Sequence, residues 1–208
     1  IEQPPRLFRA FFPCTTWRIK QKKKKIVYLT FDDGPIPEVT EWVLDTLNRY
    51  NVKATFFCVG DNVRKHPDVF KKVLEGGHNI GNHTYDHLRS WGTSAKDYCD
   101  NVERANQLLH TTLFRPPHGI IRPTTIRHLR KKYKIIMWDV VTRDYNKNLT
   151  PDDIFDNVKK YTRNGSIIVF HDSLKARKNV EGALEKCIEW LQSEGYSFKK
   201  IDYKNRTT

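Results

Sequence analysis

Short apolar runs alternate with amphipathic segments along the whole chain, and this alternation most constrains the fold. The predicted strands are Ile26–Phe31, Ala54–Val59, Asn79–Asn82, Leu113–Arg115, Ile135–Trp138, Ser166–His171 and a last one near Tyr196–Ile201. Helical spacing covers Glu41–Tyr50, Asp68–Glu75, Ser94–His110, Thr124–Lys132, a segment from Thr150 and Val180–Glu194. This order predicts an α/β protein with a parallel sheet. About seven such units favour a closed or nearly closed barrel, and an open doubly wound sheet is the alternative.

The length and composition predict one globular domain with a sizeable core. The chain has 208 residues, of which 38% are hydrophobic and 12% aromatic, and this excludes a disordered chain. We expect residues 1–25 to form an N-terminal extension, where three prolines argue against a long helix, and residues 26–208 to form the main domain. No apolar run is long enough to span a bilayer and no signal-peptide core is visible. Because the chain begins with Ile1, we expect that a leading segment was removed, so both a cytoplasmic and a cell-envelope location stay open.

The formal net charge of +13 suggests an anionic partner, with the densest basic run at Lys22–Lys25. Nucleic acid, an anionic envelope polymer and a membrane surface are the candidates, and a solvated basic segment is the simpler interpretation. The chain carries no nucleic-acid module signature, so no nucleic-acid partner is expected. Its four cysteines are scattered without a C-x-x-C pair, which implies no disulfide framework but leaves one bridge open.

Potential catalytic side chains follow the predicted strands. Asp32 and Asp33 precede a Gly-Pro turn, where a charge pair gains nothing from sheet packing and a plain turn is the alternative. His83 and His87 would face the same side if their segment turned helically. Asp33 could then complete a two-histidine, one-carboxylate metal site, although two unrelated surface histidines would also explain the spacing.

Three further segments have the same placement. Arg115 begins a rigid Pro-Pro loop and could orient a carboxylate through bidentate hydrogen bonds. Asp144 lies in a predicted polar loop, and His171 ends an apolar strand with a side chain suited to acid-base chemistry. In a parallel barrel the carboxyl ends of the strands open on one face, where active sites form. We therefore expect these groups to meet at that face.

These motifs, and their order along the chain, resemble those of the polysaccharide deacetylases, the NodB-like carbohydrate esterase family 4. The resemblance rests on Thr30-Phe31-Asp32-Asp33-Gly34-Pro35, His83-Thr84-x-x-His87, Arg115-Pro116-Pro117-x-Gly119, Asp144 and Val169-Phe170-His171. It extends from about Ile26 to Ile201. It implies a distorted (β/α) barrel of about seven parallel strands, related to the TIM barrel, and metal-dependent removal of acetyl groups from sugars.

The resemblance also implies which residues bind the metal. Asp33, His83 and His87 would hold a divalent cation, usually Zn²⁺ and sometimes Co²⁺ or another ion. Such an ion polarises the acetyl carbonyl and acidifies water.

The same resemblance assigns the proton transfers. Asp32 would be the general base and Arg115 would orient it, while His171 would be the general acid and Asp144 would tune it. A backbone N–H in the loop Pro117–Gly119 would help the metal to stabilise the oxyanion.

Four positions depart from the family pattern and affect the expected substrate more than the chemistry. These are His118 for the usual aromatic residue, Val141 for an acid, Tyr145 for Trp beside Asp144, and Val169 for the Leu of the acetate pocket.

The predicted function is deacetylation of N-acetylglucosamine units in peptidoglycan or a chitin-like oligomer. Open alternatives are an O-acetyl xylan esterase, a deformylase or amidase acting on a lipid-linked sugar, and a non-catalytic carbohydrate-binding protein on the same fold. The oligomeric state is not predicted.

Overall fold

A computed structural model describes residues 2–20 and 24–203, so Lys22 and Lys23 of the predicted basic run lie outside the described residues. The helices are α1 Arg6–Ala10, α2 Val39–Arg49, α3 Gly60–Lys65, α4 Pro67–Glu75, α5 Ala95–Leu109, α6 Pro123–Leu129, α7 Pro151–Tyr161 and α8 Arg177–Ser193, with a 3₁₀ turn at Pro117–Gly119. The strands are β1 Thr15–Thr16, β2 Ile26–Asp32, β3 Thr55–Cys58, β4 Asn79–Asn82, β5 Leu113–Phe114, β6 Lys134–Ile136, β7 Val140–Val141, β8 Ile167–His171 and β9 Ser197–Phe198.

The strands form one curled sheet in the order β1-β6-β5-β4-β3-β2-β8-β7, with β9 paired to the start of β2. Each of these strand pairs is parallel. The ladder is interrupted between β6 and β7, where β1 pairs with β6 and the carbonyl of Glu2 accepts the N–H of Val141 at 2.8 Å. The prediction of a distorted barrel of parallel strands is therefore confirmed, and the N-terminal segment lies at its interruption.

Strand β2 explains how the barrel positions the active side chains. All seven of its residues are buried, because it lies between β3 and β8. Val27, Leu29 and Phe31 pack in the core beneath the helices, whereas Ile26 and Tyr28 belong to a second cluster on the other side of the strand. Side chains alternate between the two faces of a strand, so Asp32 projects on the same side as Ile26 and Tyr28.

The N-terminal extension packs against the barrel. The prolines limit α1 to five residues, and Trp17 is buried against Trp138 with their rings 6.1 Å apart. The N–H of Ile19 donates to the carbonyl of Gly165, just before β8. The cysteines in the structure, at positions 14, 58, 99 and 187, are free thiols, so no bridge joins them.

The predicted strands and helices occur in the structure, with small differences at their ends. Two elements differ more clearly from the sequence prediction. The segment predicted as a polar loop, 139–145, contains strand β7, and the six-residue α3 follows β3 directly. Both are too short for hydrophobic periodicity to reveal them. No helix within residues 2–20 and 24–203 has the length and apolar character of a membrane span.

Candidate active site

The predicted groups meet at the carboxyl end of the sheet, around a pocket of about 380 Å³. Asp32 and Asp33 follow from β2, His83 and His87 from β4, and His171 ends β8. The pocket is lined by Asp32, Asp33, His83, His87, Pro116, His118, Gly119, Trp138, Val141, Tyr145, Val169, His171 and Lys175. Arg115 and Asp144 lie buried behind this lining. The structure thus brings together side chains that are far apart in the sequence.

Asp33, His83 and His87 form a compact group of metal-ligand type. The Oδ1 atom of Asp33 lies 3.6 Å from Nε2 of His83 and 3.2 Å from Nε2 of His87. The three donor atoms lie within 4.8 Å of one another. This spacing allows all three atoms to contact one cation and leaves the pocket side open for water or substrate.

The segment from His83 to His87 is not helical, which corrects the conditional expectation of a helical turn. Thr84 and His87 instead adopt left-handed backbone conformations, with φ of 66° and 58°. The side chain of Asn82 accepts the N–H of Thr84, and Asn101 of α5 accepts the N–H of Tyr85. These two bonds hold a loop that turns both imidazoles towards Asp33. The two histidines therefore converge on Asp33 through a loop held by these bonds, and not through the i, i+4 spacing of a helix.

The state of His83 indicates that this group fits a cation. Its Nδ1 lies 2.8 Å from the carbonyl oxygen of Arg115, which can only accept, so Nδ1 carries the hydrogen. Burial lowers the pKa of His83 to about 4, although Asp32 opposes this. The neutral ring therefore directs the Nε2 lone pair towards the carboxylate of Asp33. Nε2 of His83 and Oδ1 of Asp33 are thus two acceptors without a proton between them. A metal ion between two such atoms stabilises the pair.

Asp33 is ionised despite its burial. Burial opposes its charge, but the hydrogen bond from His87 and the positive charge of His171 hold the pKa of Asp33 below its usual range. Its backbone is fixed as well, because Asn62 donates to the Asp33 carbonyl at 2.7 Å.

Arg115 fixes Asp32 at the bottom of the pocket. The guanidinium is fully buried and donates to Oδ1 of Asp32 at 2.6 Å and to Oγ1 of Thr30 at 2.8 Å. It also donates to the carbonyl of Met137 and lies 4.0 Å from the ring centre of Phe57. The bond to Asp32 is single, not bidentate as expected, because the other donors of Arg115 bind Thr30 and two backbone carbonyls. These bonds still restrict the rotation of Arg115 and so orient Asp32.

On the opposite side of the pocket, Asp144 positions His171. One carboxylate oxygen of Asp144 accepts the backbone N–H of His171 and the other lies 2.7 Å from Nδ1. Burial lowers the pKa of His171, but the charge and hydrogen bond of Asp144 exceed this effect and raise it to about 9. Tyr145 packs edge-on against the imidazole, with ring centres 4.9 Å apart. His171 is therefore a cationic donor at neutral pH.

The loop Pro117–Gly119 supplies one unpaired backbone donor. Pro117 has no N–H, and the N–H of Gly119 is bonded to the Pro116 carbonyl. The N–H of His118 has no hydrogen bond within the described residues. A side chain at Gly119 would lie 2.0 Å from the Trp138 ring, so glycine is required there. Pro117 itself is buried, and Pro116 lines the pocket in its place.

The predicted pocket residues Tyr145 and Val169 line the pocket. Val141, predicted only to replace an acid of the family pattern, lines it as well, and Trp138 and Lys175 were missed by the sequence analysis. Trp138 was predicted as the end of a strand and carries no motif. Lys175 lies in the loop after β8, with its ammonium 5.5 Å from the Tyr145 ring centre.

Asp172, next to His171, was also missed. Its Oδ1 accepts the N–H of Gly34 and its Oδ2 accepts the Thr40 hydroxyl, while its own N–H donates to the carbonyl of Asp32. Burial raises the pKa of Asp172 to about 8. This residue ties the turn that carries Asp32 and Asp33 to β8. The one signal in the sequence that could have found it is its position, an acidic residue directly after the motif histidine at a strand end.

Comparison with known proteins agrees with this geometry. Residues 19–135 match the polysaccharide deacetylase family. A peptidoglycan-N-acetylglucosamine deacetylase of Bacillus cereus is 34% identical over 194 residues, which cover 89% of this chain and 90% of that protein. Some longer relatives are matched over only 39% of their length.

Solved structures show the same fold. The Bc1960 peptidoglycan N-acetylglucosamine deacetylase, crystallised with an N-hydroxybenzamide, superposes with a TM-score of 0.87 at 30% identity and covers 95% of both chains. A family 4 pseudoenzyme of Bacillus anthracis is similar to 89% of this chain, with a TM-score of 0.80, 26% identity and 66% of its own length covered. From the family match and the 34% identity, the chain belongs to the polysaccharide deacetylase family of carbohydrate esterases, and it is a deacetylase.

Proposed function

We propose that the protein removes the acetyl group from N-acetylglucosamine units of peptidoglycan or a chitin-like glycan, using a divalent metal ion. The observation that carries this proposal is the arrangement of two acid-base side chains, Asp32 and His171, around the donor group of Asp33, His83 and His87 in one pocket. Zn²⁺ is the proposed ion, since two imidazoles and one carboxylate are typical of catalytic zinc sites. Co²⁺ or another divalent ion would fit the same donors.

Asp32 is proposed as the general base. When bound, the metal ion supplies Lewis-acid polarisation of the acetyl carbonyl and lowers the pKa of water. Asp32 receives the proton of the attacking water, and the bond from Arg115 keeps its carboxylate turned towards the pocket. Because Arg115 neutralises its charge, Asp32 can lie near the Asp33 carboxylate without repelling it.

His171 is proposed as the general acid. An amide nitrogen leaves poorly as an anion, so a proton must reach it as the bond to the acetyl carbon breaks. His171 holds that proton because its pKa is about 9. The Asp144 carboxylate fixes Nδ1, which leaves Nε2 as the donor to the amine.

The N–H of His118 is proposed to stabilise the oxyanion of the tetrahedral intermediate. Such a donor acts only as negative charge develops on the former carbonyl oxygen. Val169, Val141 and Trp138 offer apolar surface for the acetyl methyl group in the same pocket. This apolar surface favours an acetyl group over a formyl group, because a methyl group gains about 0.8 kcal/mol on burial.

Three alternative functions make different demands on the site. An O-acetyl xylan esterase would use the same residues with an alcohol leaving group. A deformylase or amidase acting on a lipid-linked sugar would need a site for the lipid beside the pocket. A non-catalytic protein would need only the fold, as the pseudoenzyme similar to this chain illustrates, but it has no use for a fixed general base and a cationic general acid.

The decisive test is acetate release from a panel of acetylated glycans, with protein stripped by a chelator and then reloaded. We expect release from N-acetylglucosamine oligomers and peptidoglycan, loss after chelation and recovery with Zn²⁺ or Co²⁺. Asp32→Asn and His171→Ala are the catalytic controls, and Asp61→Asn is a matched control because Asp61 pairs with Lys65 and Arg64 on α3. Acetate release only from O-acetylated xylan would favour the esterase. Release from no substrate by reloaded protein would refute deacetylation.

We also propose that residues 26–208 form the catalytic domain and that residues 1–25 are its N-terminal extension. The contacts of Trp17 with Trp138 and of Glu2 with Val141 support an extension that belongs to the same domain. Deletion of residues 1–20 should lower the melting temperature, because the interruption between β6 and β7 would be uncovered. An unchanged melting temperature would contradict this.

A further inference from the structure

The amino end of the barrel, opposite the pocket, carries a concentration of positive charge that the proposed chemistry does not use. We call this surface the basic face and define it by Lys20, Lys24, Lys53, Lys134, Lys199 and Lys200. Lys24 and Lys53 precede β2 and β3, and Lys134 begins β6. Lys20 lies beside Gly165, just before β8. Because the strands are parallel, residues that precede them lie at one end of the sheet. Lys199 and Lys200 follow β9, but β9 pairs with the first two residues of β2, so they lie at the same end.

The lysines of the basic face lack acidic partners. Several lysines on the helices pair with carboxylates, for example Lys72 with Glu41 and Lys186 with Asp152. None of the six takes part in an ion pair within residues 2–20 and 24–203. Five of them are exposed and Lys53 is half-buried. Unpaired like charges on one face repel each other, so an anionic partner would stabilise this surface.

Three of these lysines surround a groove. A concavity of about 530 Å³ is lined by Lys53, Lys199 and Lys200, with one acidic side chain, Asp202, at its edge. Lys200 donates to the carbonyl of Gly77, next to Lys53. Burial and the charges of Lys53 and Lys200 lower the pKa of the neighbouring His78 to about 4, which is consistent with a positive potential at the groove.

The shape and the aromatic residues of the groove indicate what kind of anion fits. A concave site suits a chain better than a flat bilayer, which would contact only the outer lysines. Nucleic acids bind single-strand sites largely by stacking their bases on free aromatic faces. Here Lys134 covers the ring of Tyr203, with its ammonium 5.0 Å from the ring centre, and Phe198 is packed against the core. The groove therefore offers cations without stacking platforms.

We propose that the basic face binds a linear polyol-phosphate chain, an anionic phosphodiester polymer without bases. The length of β2, seven residues, places the basic face about 20 Å from the pocket at roughly 3.3 Å per residue. A polymer bound there is therefore not the substrate. It holds the enzyme while the pocket faces away, towards the glycan. This inference does not depend on the proposed deacetylation.

The test is equilibrium binding of fluorescently labelled poly(glycerol phosphate), measured by anisotropy at about 50 to about 200 mM salt. The test variant combines Lys53→Gln, Lys199→Gln and Lys200→Gln. The matched control removes the same charge from the opposite end of the barrel, with Lys96→Gln, Lys147→Gln and Lys178→Gln. Melting temperature and circular dichroism check that both triple variants are folded.

We expect saturable binding by the wild-type protein and affinity at least about tenfold lower in the test variant. The slope of log K against log salt should decrease by about 2, because each lost phosphate contact removes roughly 0.7. The control should bind like the wild type, and the test variant should release acetate from a soluble oligosaccharide at the wild-type rate. That last measurement separates this proposal from the proposed function.

Four results would overturn the proposal. The first is no saturable binding at low salt, and the second is an equal loss of affinity in both triple variants. The third is tighter binding to a single-stranded oligonucleotide of equal phosphate content, which would assign the face to nucleic acid. The fourth is tighter binding to phosphatidylglycerol vesicles, which would assign it to a membrane. If an isolated test variant is unfolded, the single variant Lys199→Gln replaces it, with Lys96→Gln as its control.

Discussion

The charge of Asp144 should set the alkaline limit of activity, because it keeps His171 protonated. In Asp144→Asn the shape and one hydrogen-bond acceptor remain, but the negative charge is removed. The pKa of His171, about 9 in the wild type, should then fall towards the ordinary value for histidine, about 6.5. The fraction of enzyme with a protonated general acid should follow this pKa.

The expected size of the effect depends on pH. At pH 8 a histidine of pKa about 9 is roughly 90% protonated and one of pKa about 6.5 is roughly 3% protonated, so activity should fall about 30-fold. At pH 6 His171 is mostly protonated in both the wild type and Asp144→Asn, so their activities should differ by less than about twofold. The assay is kcat/KM for acetate release from a soluble N-acetylglucosamine oligomer, with the Zn²⁺ content of each sample measured.

The pH dependence separates this mechanism from a structural defect. A distorted site would lower activity by the same factor at every pH. Asp61→Asn removes a carboxylate from the same end of the barrel without contacting His171, so its activity relative to wild type should not change with pH. A constant ratio for Asp144→Asn between pH 6 and pH 8 would refute the tuning of His171 by Asp144. The same linkage predicts stability: the pair stabilises the fold fully below about pH 6.5 and the contribution is lost as pH rises through about 9.

The remaining predictions concern the metal, the base, the oxyanion loop and the buried carboxylate. Asp33→Ala should bind Zn²⁺ at least about tenfold more weakly by calorimetry, the usual minimum for disturbing a metal site; unchanged affinity would remove Asp33 from the donor set. Asp32→Asn should keep its Zn²⁺ and lose roughly 10²–10⁴-fold in kcat, and full activity would exclude it as the base. Gly119→Ala, which would contact Trp138 at 2.0 Å, should lower kcat while Zn²⁺ affinity is retained; a wild-type kcat would argue against a precise oxyanion loop. Asp172→Ala should weaken Zn²⁺ binding by releasing the turn that carries Asp33, and Asp172→Asn should restore most of the affinity; equal affinity in all three proteins would show that the turn is held without it.

The sequence predicted the fold because its strongest signals are local. Each apolar run of four or more residues produced a strand, and β2 was found almost to the residue. Thr150, Pro151 and Asp153 were predicted to begin a helix, and α7 begins there with a capping box. Capping and burial depend on neighbours in the chain, so they can be read from one sequence.

The prediction was weaker where structure depends on distant contacts. Strand β7 consists of two residues and exists because β8 supplies its partner. The loop from His83 to His87 takes its shape from Asn101, which is far away in the sequence. Lys175 and Trp138 enter the pocket only through the curvature of the sheet. No periodicity or motif marks such residues before the chain is folded.

Asp172 shows why sequence motifs reveal residues that take part in a reaction more readily than residues that only position them. Asp32, Asp33 and His171 are proposed for proton transfer and metal binding, and residues with such roles stand out in a sequence as titratable groups at strand ends. Asp172 is also an acidic residue that follows a strand, yet it accepts the N–H of Gly34 and the hydroxyl of Thr40. A buried carboxylate is costly unless such bonds satisfy it, and burial raises its pKa to about 8. The same bonds hold β8, which ends in the proposed general acid, against the turn that carries the proposed base and a proposed metal ligand. Asp32 and His171 are placed side by side by the pairing of β2 with β8, and Asp172 then fixes the turn that carries Asp33 relative to both strands.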